Sequence, residues 1–212
     1  MIALTISDTM EADAACLRTA ELIKRNRSIG MPDAICIRND SFSDETFASM
    51  TELVSRLWDG EIILESDIAG NVSKALIHVL DRKPLIVGAN ADNIEEFAMP
   101  ANLFDCPLCI SGERLEDLMD LVQKAGSLGV RRIAIDPMMR NMKQCLELCT
   151  DLKRLAETVP EANHRIVIRT WSGEYAMTMA TVSLLIDDQI VIADDLDHDS
   201  CETLKELLRC TR

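Results

Sequence analysis

The chain has 212 residues, 48% of them hydrophobic, a mean hydropathy near zero and a formal charge of -14. That length suits one sizeable core, and the acidic balance sets Coulomb repulsion against nucleic-acid backbones and anionic lipid surfaces, so neither is an expected partner. No apolar run approaches the roughly 18 residues of a membrane span, and Met1 to Asp8 lacks the basic start and small-residue cleavage site of a signal peptide, so a cytoplasmic protein is expected.

In chain order, apolar runs predict strands at residues 2–6, 34–38, 61–65, 85–89, 108–111, 132–136, 165–170 and 189–194. The fourth is the most telling. Lys83-Pro84 opens a run, Leu85 to Ala89, without alternation, as a strand buried on both faces should be, and it ends abruptly in Asn90, Asp92 and Asn93. Helical patterns lie between the strands. Residues 11–26 carry Leu17, Ala20 and Ile23 on one side; residues 43–58 open with Ser43 as cap and Asp44 and Glu45 as an acidic first turn, followed by Phe47, Met50, Val54 and Leu57. Further stripes run through Val72, Ala75, Leu76 and Val79, then Ile94, Phe97, Ala98 and Ala101, then Leu115, Leu118, Val122 and Ala125, closed by Gly126 or Gly129. Cys145, Leu148, Cys149, Leu152 and Leu155 form a sixth stripe, Tyr175, Ala176, Met179, Val182 and Ile186 a seventh, and Leu204, Leu207 and Leu208 a short eighth.

A strand and a helix every ~25 to 30 residues, about eight times over, is the cadence of a closed α/β barrel, a (β/α)8 TIM barrel. An open doubly wound sheet would need a glycine-rich turn after its first strand, and Ile6-Ser7-Asp8-Thr9-Met10 has no glycine. Nothing reads as a linker, so residues 1–212 are expected to form a single domain.

In such a barrel function sits where strands end. The tips supply Asn39-Asp40-Ser41, Glu65-Ser66-Asp67, Asn90 with Asp92 and Asn93, Ser111, Asp136-Pro137, Arg169-Thr170-Trp171-Ser172 and Asp194-Asp195. The rim reads as rich in carboxylates and amides and poor in cations. Such groups pair with the N–H edges of a neutral heterocycle such as a pterin. The local alternative is that they are helix caps and turn residues.

Eight cysteines scattered through a chain of this length read as reduced, mostly buried thiols. Cys106 and Cys109 would point to opposite faces of a strand, and Cys145 and Cys149 share a helix face with Leu148 and Leu152, so no metal is expected on either pair. Counted from Asp195, the acidic run places carboxylates where a calcium loop has them and Glu206 at its twelfth position, but Ser200 stands where that loop needs glycine. His78 and His164 have no nucleophile pattern beside them.

Four segments then carry a resemblance: residues 33–41, residues 83–93, Arg132-Ile133-Ala134-Ile135-Asp136-Pro137, and the close from Ala176 to Leu208. In their order and spacing the chain resembles the large (gamma) subunit of the corrinoid iron-sulfur protein of the CO dehydrogenase/acetyl-CoA synthase pathway, in its barrel portion only. The small (delta) subunit and the pterin methyltransferases look like more distant relatives on the same barrel. The four-cysteine iron-sulfur segment and the corrinoid-binding domain of the large subunit have no counterpart in these residues. The resemblance therefore implies a stand-alone barrel in anaerobic one-carbon metabolism, non-catalytic, binding no cofactor alone and meeting a corrinoid only through a partner. That partner would be a corrinoid protein or a small-subunit-like barrel, with a homodimer as a further arrangement. The alternative is a methyltetrahydropterin-dependent corrinoid methyltransferase. By resemblance to those enzymes, pterin-binding positions map onto Asp67 or Glu65, Asn90 and Asp136, and Asn39 is a further ligand candidate at the same rim. Where those relatives place an amide at the seventh strand, this chain has Trp171-Ser172.

Overall fold

A computed structural model describes residues 1–139, 141–159, 163–170, 176–186 and 189–211. Eight parallel strands close on themselves in sequence order: β1 (Ile2–Ser7), β2 (Ala34–Arg38), β3 (Glu61–Glu65), β4 (Leu85–Ala89), β5 (Leu108–Ser111), β6 (Ile133–Asp136), β7 (Arg165–Thr170) and β8 (Ile190–Ala193). Helices α1 (Ala12–Ile29), α2 (Asp44–Leu57), α3 (Ala69–Leu76), α4 (Ile94–Leu103), α5 (Leu115–Ser127), α6 (Met142–Thr158), α7 (Ala176–Ile186) and α8 (His198–Thr211) follow the strands in turn. The expected (β/α)8 barrel is the fold observed. Among the described residues no helix is long and apolar enough to cross a membrane.

The period-2 geometry of a strand separates two cores. Ala3, Cys36, Ile63, Val87, Cys109 and Val167 fill the lumen. Residues of the opposite parity, Leu4, Ile6, Ile35, Leu64, Ile110 and Ile168, lie beneath the helices. Cys106 lies in this outer layer and Cys109 in the lumen, which separates the pair as the strand geometry required. Cys145 and Cys149 are buried in the outer layer.

Several local readings change. Helix α1 runs on to Ile29 and buries Ala15, Thr19, Leu22 and Arg25, while Leu17 faces solvent. Its inward face is legible only once polar groups are satisfied: the Thr19 hydroxyl donates to the Ala15 carbonyl, and Arg25 donates to Glu21 and to the Leu196 carbonyl. Ser43 caps α2 as expected, accepting from the Thr46 N–H at 3.3 Å. Helix α3 stops at Leu76, so Val79 falls in the turn leading to a short 3-10 segment, Leu80–Arg82. Of the two glycines offered for closing α5, Gly129 takes the left-handed backbone (φ 96°) and Gly126 stays inside the helix. Helix α8 is a full 14 residues. Tyr175, Trp171 and Ser172 lie outside the described residues.

Gly88 is the position that admits no side chain. It has φ 133°, the pairing of β4 with β5 shifts there, and a Cβ would stand 1.9 Å from the Ser66 carbonyl oxygen. Gly88→Ala is expected to lower stability by about 3 kcal/mol or more, from overpacking and backbone strain together. Gly126→Ala, in a helix with open space around the new methyl, is expected to raise it by about 0.5 to 1 kcal/mol. Urea unfolding of the two variants beside the parent measures both signs.

Candidate functional site

Inward parity at the C-terminal ends of the strands aims Arg38, Glu65, Asp136 and Arg169 into the mouth. Arg169 is central. Its Nη1 donates to Glu65 Oε1 at 3.2 Å, its Nε to Asp136 Oδ2 at 2.8 Å, and its Nη2 stands 2.7 Å from the same oxygen. One guanidinium thus ties β7 to its neighbour β6 and, across the lumen, to β3. Asp136 is only 2% exposed, and it also accepts from the Met138 N–H at 2.8 Å and the Ser111 hydroxyl at 3.3 Å. Burial disfavours the charged guanidinium of Arg169, yet the Coulomb attraction of Asp136 and Glu65 holds its pKa above the ordinary arginine value.

Arg38 forms a second clamp. Its Nη1 donates to Asp194 Oδ1 at 2.5 Å, and its Nε donates to Asp40, whose Oδ2 also accepts from the Ser7 hydroxyl. The mouth therefore holds four carboxylates against two guanidiniums. Carboxylates outnumber cations here, as the tip residues suggested, but both cations are central to the mouth: Arg169 stood among those tips, whereas Arg38, one residue before Asn39, did not. Both arginines stand inside strands, and counting by twos from the lumen residues Cys36 and Val167 reaches them.

Two lumen thiols sit beneath the clamps. Burial, then the charge of Glu65, pushes the Cys36 thiol well up, and the Cys36 Sγ donates to Glu65 Oε2 at 3.5 Å. Burial, then Asp136, does the same to Cys109.

The remaining candidates divide by parity. Asn39 has the outward parity of Ile35 and Ile37 and turns away from the lumen. Its amide donates to Asp8 Oδ2 at 2.7 Å, and its oxygen accepts from the Ser66 hydroxyl at 2.9 Å and from Asn71 Nδ2 at 2.7 Å. Asp8, buried, accepts in addition from the Ser41 N–H and hydroxyl. Asn71 donates to the carbonyl of Phe42, a residue at φ 56° whose ring is 66% exposed on the rim. Asn90 is half-buried at the end of β4, its Oδ1 accepting from the Asp92 N–H at 2.9 Å. Asn93 occupies the N-cap position of α4 but spends its side chain on the strand end, accepting from the Asn90 N–H and donating to the Gly88 carbonyl. Asp67 is exposed on the neighbouring tip. The structure thus brings Glu65 and Asp136 together through Arg169, leaves Asn90 and Asp67 beside them on the rim, and sets Asn39 behind the wall.

The acidic run after β8 disperses into separate tasks. Asp194 meets Arg38, Asp195 pairs with Arg18, and Asp197 caps α8 by accepting from the Ser200 N–H at 2.7 Å. Among the described residues no three His, Cys, Asp or Glu side chains converge as a metal site.

The profile of the CO dehydrogenase/acetyl-CoA synthase delta subunit family matches residues 1–192. The chain is 32% identical over 123 residues to the corrinoid/iron-sulfur protein large subunit of Moorella thermoacetica, covering 58% of this chain and 28% of that protein. It is 38% identical over 107 residues to the acetyl-CoA decarbonylase/synthase complex subunit gamma of Methanothermobacter thermautotrophicus, covering 50% and 23%. The chain spans about a quarter of the length of these relatives. In shape it is similar to a dihydropteroate synthase from Coxiella burnetii in complex with pteroic acid, at a TM-score of 0.71 and 12% identity, covering 99% of this chain and 91% of that one. The 7,8-dihydropteroate synthase from Vibrio fischeri is similar at 0.69 and 13%, covering 99% and 91%. At such identities the likeness shows the fold.

Arg169→Met leaves Asp136 charged and buried without its partner and is expected to cost about 3 to 5 kcal/mol of stability. Arg169→Met combined with Asp136→Asn is expected to lose clearly less than Arg169→Met alone, as a double-mutant cycle by urea unfolding measures. With their thiols held protonated, Cys36 and Cys109 are expected to resist iodoacetamide at about pH 8, near an unperturbed thiol pKa, whereas the exposed Cys210 reacts first. Peptide mass spectrometry before and after unfolding reads the order.

Proposed function

The chain belongs to the CO dehydrogenase/acetyl-CoA synthase delta subunit family, and on that footing we propose that this barrel serves anaerobic one-carbon metabolism as a non-catalytic partner of a corrinoid protein. The observation that carries the reading is the Arg169 clamp. Glu65 and Asp136, two of the groups a pterin ring would need, already share one guanidinium inside the mouth. A ring entering there would have to displace a partly buried, charge-assisted contact before gaining its own hydrogen bonds.

The rim around the clamp suits a protein surface better than a small ring. Phe42 after β2, Ile68 after β3 and Met138 after β6 are exposed apolar side chains on three strand-end loops. The Phe42 and Met138 backbones take positive φ, and each is held by a buried side chain, Asn71 on the Phe42 carbonyl and Asp136 on the Met138 N–H. Apolar groups fixed in this way lose little entropy on docking.

The second reading, a methyltetrahydropterin-dependent corrinoid methyltransferase, is favoured by the half-buried Asn90 with Asp67 on the adjoining tip. A dihydropteroate synthase of the same fold is described with pteroic acid. In a methyltransferase of this kind Asn90 and Asp136 would grip the ring and assist protonation as the methyl group leaves.

Purification of the tagged protein from its source under anoxic conditions is expected to recover a corrinoid-bearing protein, identified by mass and by its visible spectrum, and Phe42→Glu is expected to cut that recovery at least about tenfold, a large share of the energy of one central contact. Calorimetry with methyltetrahydrofolate is expected to show no binding. Micromolar binding abolished by both Asn90→Ala and Asp136→Asn would overturn the partner reading and make the chain an enzyme.

A further inference from the structure

The opposite end of the barrel carries a feature that neither the fold nor the partner reading uses. A cavity of about 820 Å³ opens at the N-terminal ends of the strands, within the size range of small-molecule sites. Its inner wall is apolar, with Ile63, Leu85, Ile133 and Ile190 among its lining. Its lip is basic: Arg82, Lys83, Arg131, Arg132 and Arg165 line it against two carboxylates, Glu61 and Asp81. In a chain with 22 basic and 36 acidic residues, this balance is inverted.

Three of the five cations have local work. Lys83 pairs with Asp105, Arg132 donates to the Asp105 carbonyl, and Arg82 donates to the Trp58 and Ser55 carbonyls. Arg131 and Arg165 are exposed, and among the described residues no carboxylate stands within ion-pair distance of either. Helix C-termini lie at this end of the barrel, and their partial negative charge accounts for basic residues in last turns such as Lys124 in α5. It does not account for Arg165, which begins strand β7 on the inward parity of Val167.

We infer that the N-terminal end of the barrel is a second binding site, for a small organic anion bearing two or more phosphate-like charges on an apolar or aromatic body. The body enters the wall of Ile63, Leu85 and Ile190, and the charges stop at Arg131 and Arg165. Arginine suits that part because its planar fork meets phosphate oxygens bidentately. The site is independent of the mouth, so its failure and the failure of the partner reading are separate events.

The probes are ADP, pyrophosphate and adenosine, titrated calorimetrically into the full chain. ADP is expected to bind about tenfold or more tighter than pyrophosphate, a difference of roughly 1.4 kcal/mol, and to weaken as salt is raised. Arg131→Ala with Arg165→Ala is expected to lower ADP affinity at least about tenfold, with an unchanged melting temperature because both side chains are exposed. Arg114→Ala, which removes an exposed charge on the loop before α5, serves as the control and is expected to leave affinity unchanged. Absence of ADP and pyrophosphate binding at millimolar concentration, adenosine binding as tightly as ADP, pyrophosphate binding as tightly as ADP, or equal affinity in the double variant and the parent would each overturn the site.

Discussion

The contact on which the mouth depends is the bridge from Arg169 to Asp136 and Glu65. It ties β3 to β6 and β7, a link that the hydrogen-bond ladder does not make, since β3 and β7 are not neighbours in the closed sheet. Only a guanidinium has the fork to reach both acceptors, so a lysine at 169 would keep the charge and lose one partner. The net stability such an ion pair adds is small, because desolvation offsets its Coulomb attraction, but its geometry fits one register alone. A one-residue slip of β7 would turn Arg169 out among the helices and bring Thr170 into the lumen, stranding Asp136.

Outside the wall a second polar system does a different job. Asp8, Asn39, Ser66 and Asn71 are buried where β1, β2 and β3 pass into their helices, and each satisfies another. Polar groups so placed are stabilising only when fully paired. Their collective effect is to freeze the loop around Ser41 and Phe42, so that an exposed aromatic ring on a left-handed backbone has a fixed position beside the clamps. The lumen network fixes charge, and the outer network fixes shape.

The barrel is legible in the sequence because most strands carry apolar residues on both faces and end in a polar tip; the lumen faces of β1, with Thr5, and of β7, with Arg165 and Arg169, are exceptions. Five strands have the expected ends, and the other three differ by one residue: β1 runs on to Ser7, β6 starts at Ile133, and β8 is trimmed at both ends to Ile190–Ala193. Helix α1 was harder, since its inward face includes Thr19 and Arg25, and the burial of Arg25 depends on a partner far along the chain at Leu196. The site was half legible. Glu65, Asn90 and Asp136 stand out as strand-end polar residues, but a list of tips does not record parity, and parity decides that Asn39 faces the helices while Arg38 and Arg169 face the lumen. The pairing of Arg169 with Glu65, 104 positions apart, follows from closure of the sheet and from nothing local.

The two ends of the barrel are unlike in charge, with two carboxylates in excess among the clamps at one and three cations in excess around the cavity at the other. The molecule is thus an acidic particle whose two ends carry local charge excesses of opposite sign. In the field of a charged neighbour such a particle experiences a torque before any surfaces touch, so that one end turns toward the neighbour while the pair is still diffusing. The turning is effective over about 8 Å at physiological ionic strength, a distance of a few water layers. Within that shell the barrel's tumbling is biased, and the set of approach directions narrows from a sphere to a cone about the axis.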